Sequence, residues 1–353
     1  MKILILGDLH IGARNSNPVL FNMMKSFFNN TLFPYILDND IKTVIQLGDI
    51  HDKRKSIDFV IAEYIINDFF KWFEDNNVKL ISLVGNHDSY YKNTIKLDGM
   101  SQLTRKSNHI TIVNKPSLYT FDNVKFAIVP WICDENKQEC LEFIDKNKKS
   151  NAILLGHFEL AGFEMVKGIK SETGNFDIGI LSGYRKVISG HYHITSERDN
   201  VIYVGTPYEL NWNDYNDKKR FIVYDTKDNE FEMVPTNIVL HEKIMYNDTL
   251  KKIDSSRVAN KFVKVIANDD YSETKLNKFL IELNKSHPLS IQFIDNRQKK
   301  ETEIAYAEDD LNNPPKIVLD DIQEYYKNNK EMYDLATRMF EDIHKEVMEL
   351  DTI

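Results

Sequence analysis

The sequence predicts a layered α/β fold: two sheets packed face to face with helices outside, then a small α+β unit and a helical tail. Three observations predict it. Short apolar runs alternate with helical patterns through residue 240, five of those runs end in glycine followed at once by a polar side chain, and the texture changes beyond residue 240.

The five endings come in a fixed order along the chain. Residues 3–6 and Gly7 lead into Asp8-Leu9-His10, residues 44–47 and Gly48 into Asp49, and residues 80–84 and Gly85 into Asn86-His87-Asp88. Residues 153–155 and Gly156 then lead into His157, and residues 187–189 and Gly190 into His191-Tyr192-His193. Each run is short, apolar and rich in β-branched residues, which is the pattern of a buried strand. The polar residues therefore lie just past strand C-termini, where open α/β sheets place their binding sites. A glycine before each of them allows a sharp turn and a close approach of backbones.

Further strands are expected at 125–129, 201–204 and 220–224. A helix should begin near Ser56 with Asp58 in its first turn, and Phe59, Ala62, Ile65, Ile66, Phe69, Phe70 and Phe73 mark its buried face. Beyond the main domain, 1–240, a strand at 262–266, a helix over 274–284 and a strand at 291–294 suggest a βαβ unit within 241–295. Residues 296–316 read as a polar linker. Residues 317–353 read as a helical tail, with Met332, Leu335, Met339, Phe340, Ile343, Val347 and Leu350 at helical spacing.

A chain of 353 residues exceeds what one compact core usually holds, and 42% hydrophobic with 28% charged residues is ordinary for a soluble globular protein. No apolar stretch approaches a membrane span, and the start runs straight into a strand without a signal-peptide pattern. A cytoplasmic location is expected, in the host cell if the chain is viral. Cys133 and Cys140 read as two ordinary thiols, because their spacing matches no common zinc or redox motif. A net charge of −9 argues against holding nucleic acid by global positive charge, while leaving room for a locally basic groove. No Gly-x-x-x-x-Gly-Lys-[Ser/Thr] sequence occurs, so an ATP site is not expected.

Taken singly, each ending has a bland reading: an acid capping a strand and a satisfied surface histidine would look like Asp8-Leu9-His10. Taken together, order, glycine context and side-chain chemistry agree at all five places. Carboxylate, amide and imidazole groups without thiolate suit Mn²⁺ or a similar divalent ion.

These blocks resemble the five motifs of the calcineurin-like metallophosphoesterase superfamily, over roughly residues 1–210. Within it the chain is most similar to SbcD-type DNA repair nucleases, and the likeness extends to Gly205-Thr206-Pro207-Tyr208-Glu209. The Asn- and Lys-rich composition and short length suit a tailed-phage recombination nuclease subunit. The resemblance implies a two-sheet sandwich that binds two divalent metal ions, most often Mn²⁺ in the family's nucleases. One would be held by Asp8, His10, Asp49 and His193, the other by Asp49, Asn86, His157 and His191. The shared Asp49 would keep the ions about 3.5–4 Å apart for in-line attack on a phosphodiester. His87 would face the scissile phosphate as a catalytic group with Asp88 orienting its imidazole; the alternative is that His87 only supports Asn86.

Some relatives carry a second active-site histidine where this chain has Asp52, which implies that Asp52 orders a ligand or water. The role of His51 stays open. Arg14, Lys53, Arg54, Lys55, Tyr90, Tyr91 and Lys92 directly follow the first three motifs. Cations there would neutralise DNA phosphates and the tyrosines would stack bases, the alternative being a solvated face. The resemblance further implies exonuclease and endonuclease activity in recombination and double-strand break repair, with 241–295 as a cap that positions DNA. It also implies a separate SbcC-type coiled-coil ATPase docked by the tail, unless the tail packs on its own domain, and leaves room for a homodimer.

The rivals are a protein phosphatase or cyclic-nucleotide phosphodiesterase of the same fold, and a non-catalytic scaffold. Phosphatases usually read Gly-Asp-x-x-Asp-Arg-Gly and Gly-Asn-His-Glu, where this chain has Asp52-Lys53-Arg54 and Asn86-His87-Asp88. Scaffolds tend to lose ligands, and none is missing here.

Overall fold

The computed structural model describes residues 1–104, 107–166, 168–297, 330, 333 and 336–338. The expected linker and docking tail, 296–316 and 317–353, thus lie almost wholly outside the described residues. The chain divides into two compact units, Met1–Glu242 and Lys243–Ile353.

In the first unit the strands are β1 (Lys2–Leu6), β2 (Thr43–Gln46), β3 (Lys79–Leu83), β4 (Ile110–Val113), β5 (Ser117–Phe121), β6 (Val124–Val129), β7 (Ile153–His157), β8 (Glu164–Val166), β9 (Ile169–Lys170), β10 (Lys186–Gly190), β11 (Ser196–Arg198), β12 (Val201–Tyr203), β13 (Arg220–Asp225) and β14 (Glu230–Pro235). They build two six-stranded sheets, ordered β14-β13-β1-β2-β3-β4 and β11-β12-β10-β7-β6-β5, and a β8-β9 hairpin. The centres of both sheets are parallel, with Leu4 opposite Val44, Val44 opposite Leu80, and Val187 opposite Leu154.

Alternation along these strands explains the sandwich. Ile3, Ile5, Ile45, Ile81 and Ile222 of one sheet meet Ile128, Ile153, Leu155, Ile188 and Ile202 of the other in one buried cluster. The intervening Leu154 and Val187 point outward and pack with Cys140 and Ile144 of the helix Lys137–Asn147. Both faces are covered, so the strands are apolar throughout. Both cysteines are free and buried.

The helix expected near Ser56 begins at Phe59, and Asp58 is its cap, the side chain accepting from Val60 N at 2.9 Å. The expected face also needs correction. Phe59 is 92% exposed and Ala62 and Ile66 are half-buried, whereas Ile61, Tyr64, Ile65, Phe69, Phe70 and Phe73 are buried. The cause is a π-helical segment at Ile65–Phe70. A π turn takes one residue more than an α turn, so ahead of it the buried positions are Ile61 and Tyr64 in place of Phe59 and Ala62, while Ile65 keeps its place. A second π segment, Phe28–Leu32, faces it, and Phe28 meets Phe69 with ring centroids 5.0 Å apart.

The second unit holds a three-stranded sheet, β15 (His241–Tyr246), β16 (Phe262–Ala267) and β17 (Ser290–Asp295), in that order. β16 and β17 are parallel, with Val263 opposite Ile291, and the helix Glu273–Asn284 connects them. Leu276, Phe279 and Leu283 of that helix cover Val263 and Val265. The third strand, β15, was not expected. Its charged residues Glu242 and Lys243 break the apolar pattern that marks the other two.

The shifted phase predicts unequal costs of truncation. Phe69→Ala should lower unfolding free energy by about 3–5 kcal/mol. Phe59→Ala should change it by less than about 0.5 kcal/mol. Urea denaturation of both variants checks this.

Candidate metal centre

The C-terminal ends of β1, β2, β3, β7 and β10 supply every group expected to bind metal. Asp8, His10, Asp49 and His157 are all buried. Three triads of donor atoms lie within 4.8 Å of one another: Asp8, His10 and His193; His10, Asp49 and His87; and Asp8, Asp49 and His157. Asp49 Oδ2 stands 3.7 Å from His10 Nε2 and 3.4 Å from His157 Nε2. Asn86 Oδ1 stands 2.7 Å from His157 Nε2 and 2.9 Å from His191 Nδ1. His193 Nε2 is 4.0 Å from Asp8 Oδ2.

These residues fit divalent cations on physical grounds. His157 Nδ1 donates to Leu47 O at 2.8 Å, which leaves the Nε2 lone pair of a neutral ring aimed at Asn86 Oδ1 and Asp49 Oδ2. Acceptors that close repel unless a proton or a metal ion stands among them. His10 tells the same story. It is 1% exposed, and its Nε2 has no hydrogen-bond partner among the described residues. Its Nδ1 lies 3.3 Å from Asp52 Oδ1, so Asp52 orders His10.

Electrostatics carries the same strain. Burial, with Asp49 adding to it and His157 opposing, pushes the Asp8 carboxyl up to about 7. Burial also disfavours charge on His157, but Asp49 and Asp8 outweigh it and raise the imidazole to about 9. Burial acts against the charged Asp49 too, yet His157 holds that carboxylate well below its usual range. Burial and the neighbouring His157 lower His191 to about 3. The backbone is strained as well: His10, Asp49 and His191 all have positive φ, at 45°, 57° and 89°. Non-glycine residues in that region cost about 1–3 kcal/mol each and cluster at functional sites.

Asp88 departs from the expectation that it orients His87. Its carboxylate accepts from Asp49 N at 2.7 Å, Gly85 N at 2.8 Å and Ile50 N at 3.1 Å, and meets His51 Nδ1 at 3.2 Å. It pins the turns after β2 and β3 to each other, and a Cβ at Gly85 would collide with the Asp49 carboxylate between them. The His87 ring is set instead by the main-chain oxygen of Asp52, to which Nδ1 donates, and by an edge contact with His10 at 4.7 Å. His87 N donates to Asp49 Oδ1 at 2.7 Å.

Among the rim residues, Arg54 lies over the Trp131 ring at 5.1 Å, and Arg54 and Tyr90 line a cleft of about 220 Å³ walled by His51. Tyr90 and Tyr91 meet edge to face at 4.7 Å, and Arg14, Lys53, Lys55 and Lys92 are exposed. Two supports gave no signal in the sequence. Gln46 ties Gly48, Gly7 and Ser82 together, and Tyr208 Oη donates to Leu9 O at 2.6 Å, between Asp8 and His10. Tyr208 was visible only as part of the Gly205 to Glu209 segment, with nothing local to say where its hydroxyl goes.

The roles of neighbouring residues 87 and 88 should separate in experiment. Asp88→Ala orphans several buried donors and should cost at least about 3 kcal/mol, because hydrogen bonds to charged groups are worth about 1.5–3 kcal/mol each. His87→Ala should leave the melting temperature near that of the parent. Calorimetry of both variants reads the difference.

The family profile for calcineurin-like phosphoesterase matches residues 1–195. The chain is 35% identical over 285 residues to exonuclease subunit 1 of Enterobacteria phage T4, covering 81% of each protein. It is 23% identical over 326 residues to the DNA double-strand break repair protein Mre11 of Nanoarchaeum equitans, covering 80% of this chain and 86% of that one. With its strand-end carboxylates, amide and imidazoles converging as donors to divalent cations, the chain belongs to the calcineurin-like phosphoesterase family.

Proposed function

We propose that the chain is the manganese-dependent nuclease subunit of a recombination and double-strand break repair complex, cleaving DNA phosphodiesters as exonuclease and endonuclease in the cytoplasm. The observation that carries this reading is the convergence of buried and half-buried acceptors from five strand ends, in a chain similar to a phage exonuclease subunit. Asp8, His10, Asp49 and His193 would hold one Mn²⁺, and Asp49, Asn86, His157 and His191 the other. Bound cations supply Lewis acidity, polarising phosphoryl oxygens and making water nucleophilic at neutral pH.

The chain supplies the rest. His87 Nδ1–H is committed to the Asp52 carbonyl, so Nε2 is the face left for substrate. Burial lowers the His87 imidazole toward its neutral form, and an arriving phosphodiester anion favours uptake of a proton that Nε2 can pass to the leaving oxygen. Asp52 keeps two oxygens at work, its carboxylate on His10 and its carbonyl on His87. Asp88 acts in this reading as the carboxylate that holds the ligand turns.

A role of the second unit in positioning DNA is supported by a cleft of about 650 Å³ where Lys251, Lys252, Lys275 and Lys278 outnumber Asp248 and Glu282 beside Phe279, with Lys275 paired to Asp248 at 3.2 Å. Lysines so placed neutralise phosphates and release counterions. The tail over 317–353, with its helical apolar spacing, is the proposed dock for a coiled-coil ATPase of the SbcC type.

Three measurements test these points. Given Mn²⁺ with single-stranded DNA, double-stranded DNA, a cyclic nucleotide and a phosphopeptide, the protein should cleave DNA. Asp8→Ala should abolish turnover and His87→Ala should reduce it about 10²–10⁴-fold with manganese still bound; preferred turnover of the phosphopeptide would overturn the nuclease reading. Replacing the four cleft lysines by Gln should flatten the salt dependence of duplex binding, by about 0.9 in log–log slope for each phosphate that is no longer neutralised. Removing 317–353 should end capture of the ATPase in a pull-down, and undiminished capture would refute the docking role.

A further inference from the structure

One buried ammonium lies directly behind the metal centre and takes no part in the chemistry above. Lys219, the residue before β13, is 4% exposed. Its three protons meet three oxygens: the main-chain oxygen of His193 at 2.8 Å, Thr206 Oγ1 at 2.8 Å and Asp214 Oδ1 at 2.7 Å. Asp217 Oδ2 adds a second carboxylate at 3.1 Å. Both acids are themselves fixed. Asp214 accepts from Leu210 N and Asn211 N at 2.9 and 3.0 Å, and Asp217 accepts from Thr195 N and Oγ1 at 3.2 and 2.6 Å.

The target of this clamp is one main-chain atom. The His193 oxygen also accepts from Thr206 N at 3.2 Å, and a Cβ on Gly205, whose φ is +75°, would stand 2.7 Å from it. Taking an ammonium and two carboxylates out of water costs several kcal/mol that their attraction only partly offsets. Packing alone would be served better by an apolar side chain. Among the described residues, the bonds of Lys219 reach the His193 segment and none of Asn86, His157 and His191.

We propose that Lys219, held between Asp214 and Asp217, is a positioning residue for one metal ion: it fixes the His193 backbone so that the imidazole meets Asp8 and His10, and sets the affinity of that ion alone. This rests on the two-ion reading above. Residues that orient metal ligands typically govern affinity by about 10–100-fold.

The test is calorimetric titration of the full chain with MnCl₂. Lys219→Met alone would leave two buried carboxylates facing each other, so the working variant is Lys219→Met with Asp214→Asn. Thr206→Val, which removes one acceptor from Lys219 and a donor to Tyr208 O but no charge, is a milder second variant. The wild type should bind two ions, and the double variant should bind one as before and the other about 10–100-fold more weakly, with a smaller shift in Thr206→Val. Paired backgrounds identify the ion: the loss should persist in Asn86→Ala, which keeps the Asp8 half, and vanish in His10→Ala, which keeps the other. A folded double variant that binds both ions as the wild type does, or weakens both equally, overturns the inference and leaves the two-ion reading intact. A wild type with fewer than two sites overturns that reading, and the inference with it.

Discussion

Repulsion among buried acceptors is the constraint around which the first unit is built. Asp8, Asp49, Asn86 and the lone-pair nitrogens of several histidines are brought within a few ångströms of one another, largely out of water. Such a cluster is unfavourable by itself: burial raises the Asp8 carboxyl, and the neighbouring Asp49 and Asp8 carboxylates raise the His157 imidazole. Divalent ions held among these groups would relieve that repulsion. A site that costs folding energy without its cations and gains it on binding couples metal affinity to stability.

The surrounding fold holds that cluster together. Parallel strands end side by side at one edge of each sheet, so five short turns present their side chains to one volume. Three of the residues presented sit in left-handed backbone conformations, and they stay there because the turns are tied from behind. Asp88 joins the turns after β2 and β3, Tyr208 holds the β1 turn at Leu9, and Gln46 bridges neighbouring strand ends. Each anchor is a buried polar group whose partners lie far away in sequence, which makes the arrangement rigid.

The helical layer shows how a local irregularity redistributes burial. Two π segments, Phe28–Leu32 and Ile65–Phe70, face each other through Phe28 and Phe69, and a further ring, Phe33, stacks on Trp72 at 4.0 Å. The wide turns shift the phase of each helix at the place where its aromatic residues must meet. Strict α-helical periodicity therefore misplaces the first turn of the helix starting at Phe59 while describing its last two turns well.

Local pattern made most of the fold and the membership of the site readable. Strand runs such as 3–6 and 187–189 announce themselves by composition, and the polar residues after their glycines are adjacent in sequence to the strands that position them. So Asp8, Asp49, His157 and their fellows could be named without knowing any distance. The destination of a side-chain hydrogen bond carries no such mark. Asp88 stands beside His87 in the sequence but turns to the backbone of Asp49, and Lys219 looks like a surface cation beside Lys218 yet is buried on His193. β15 was missed because Glu242 and Lys243 interrupt its pattern, and it is defined by its pairing with β16. The sequence alone determined that the apolar runs form strands and which chemistry stands at their ends, since both follow from neighbours along the chain. Only the tertiary structure decided which carboxylate or ammonium holds which ligand, because those bonds join residues brought together by packing.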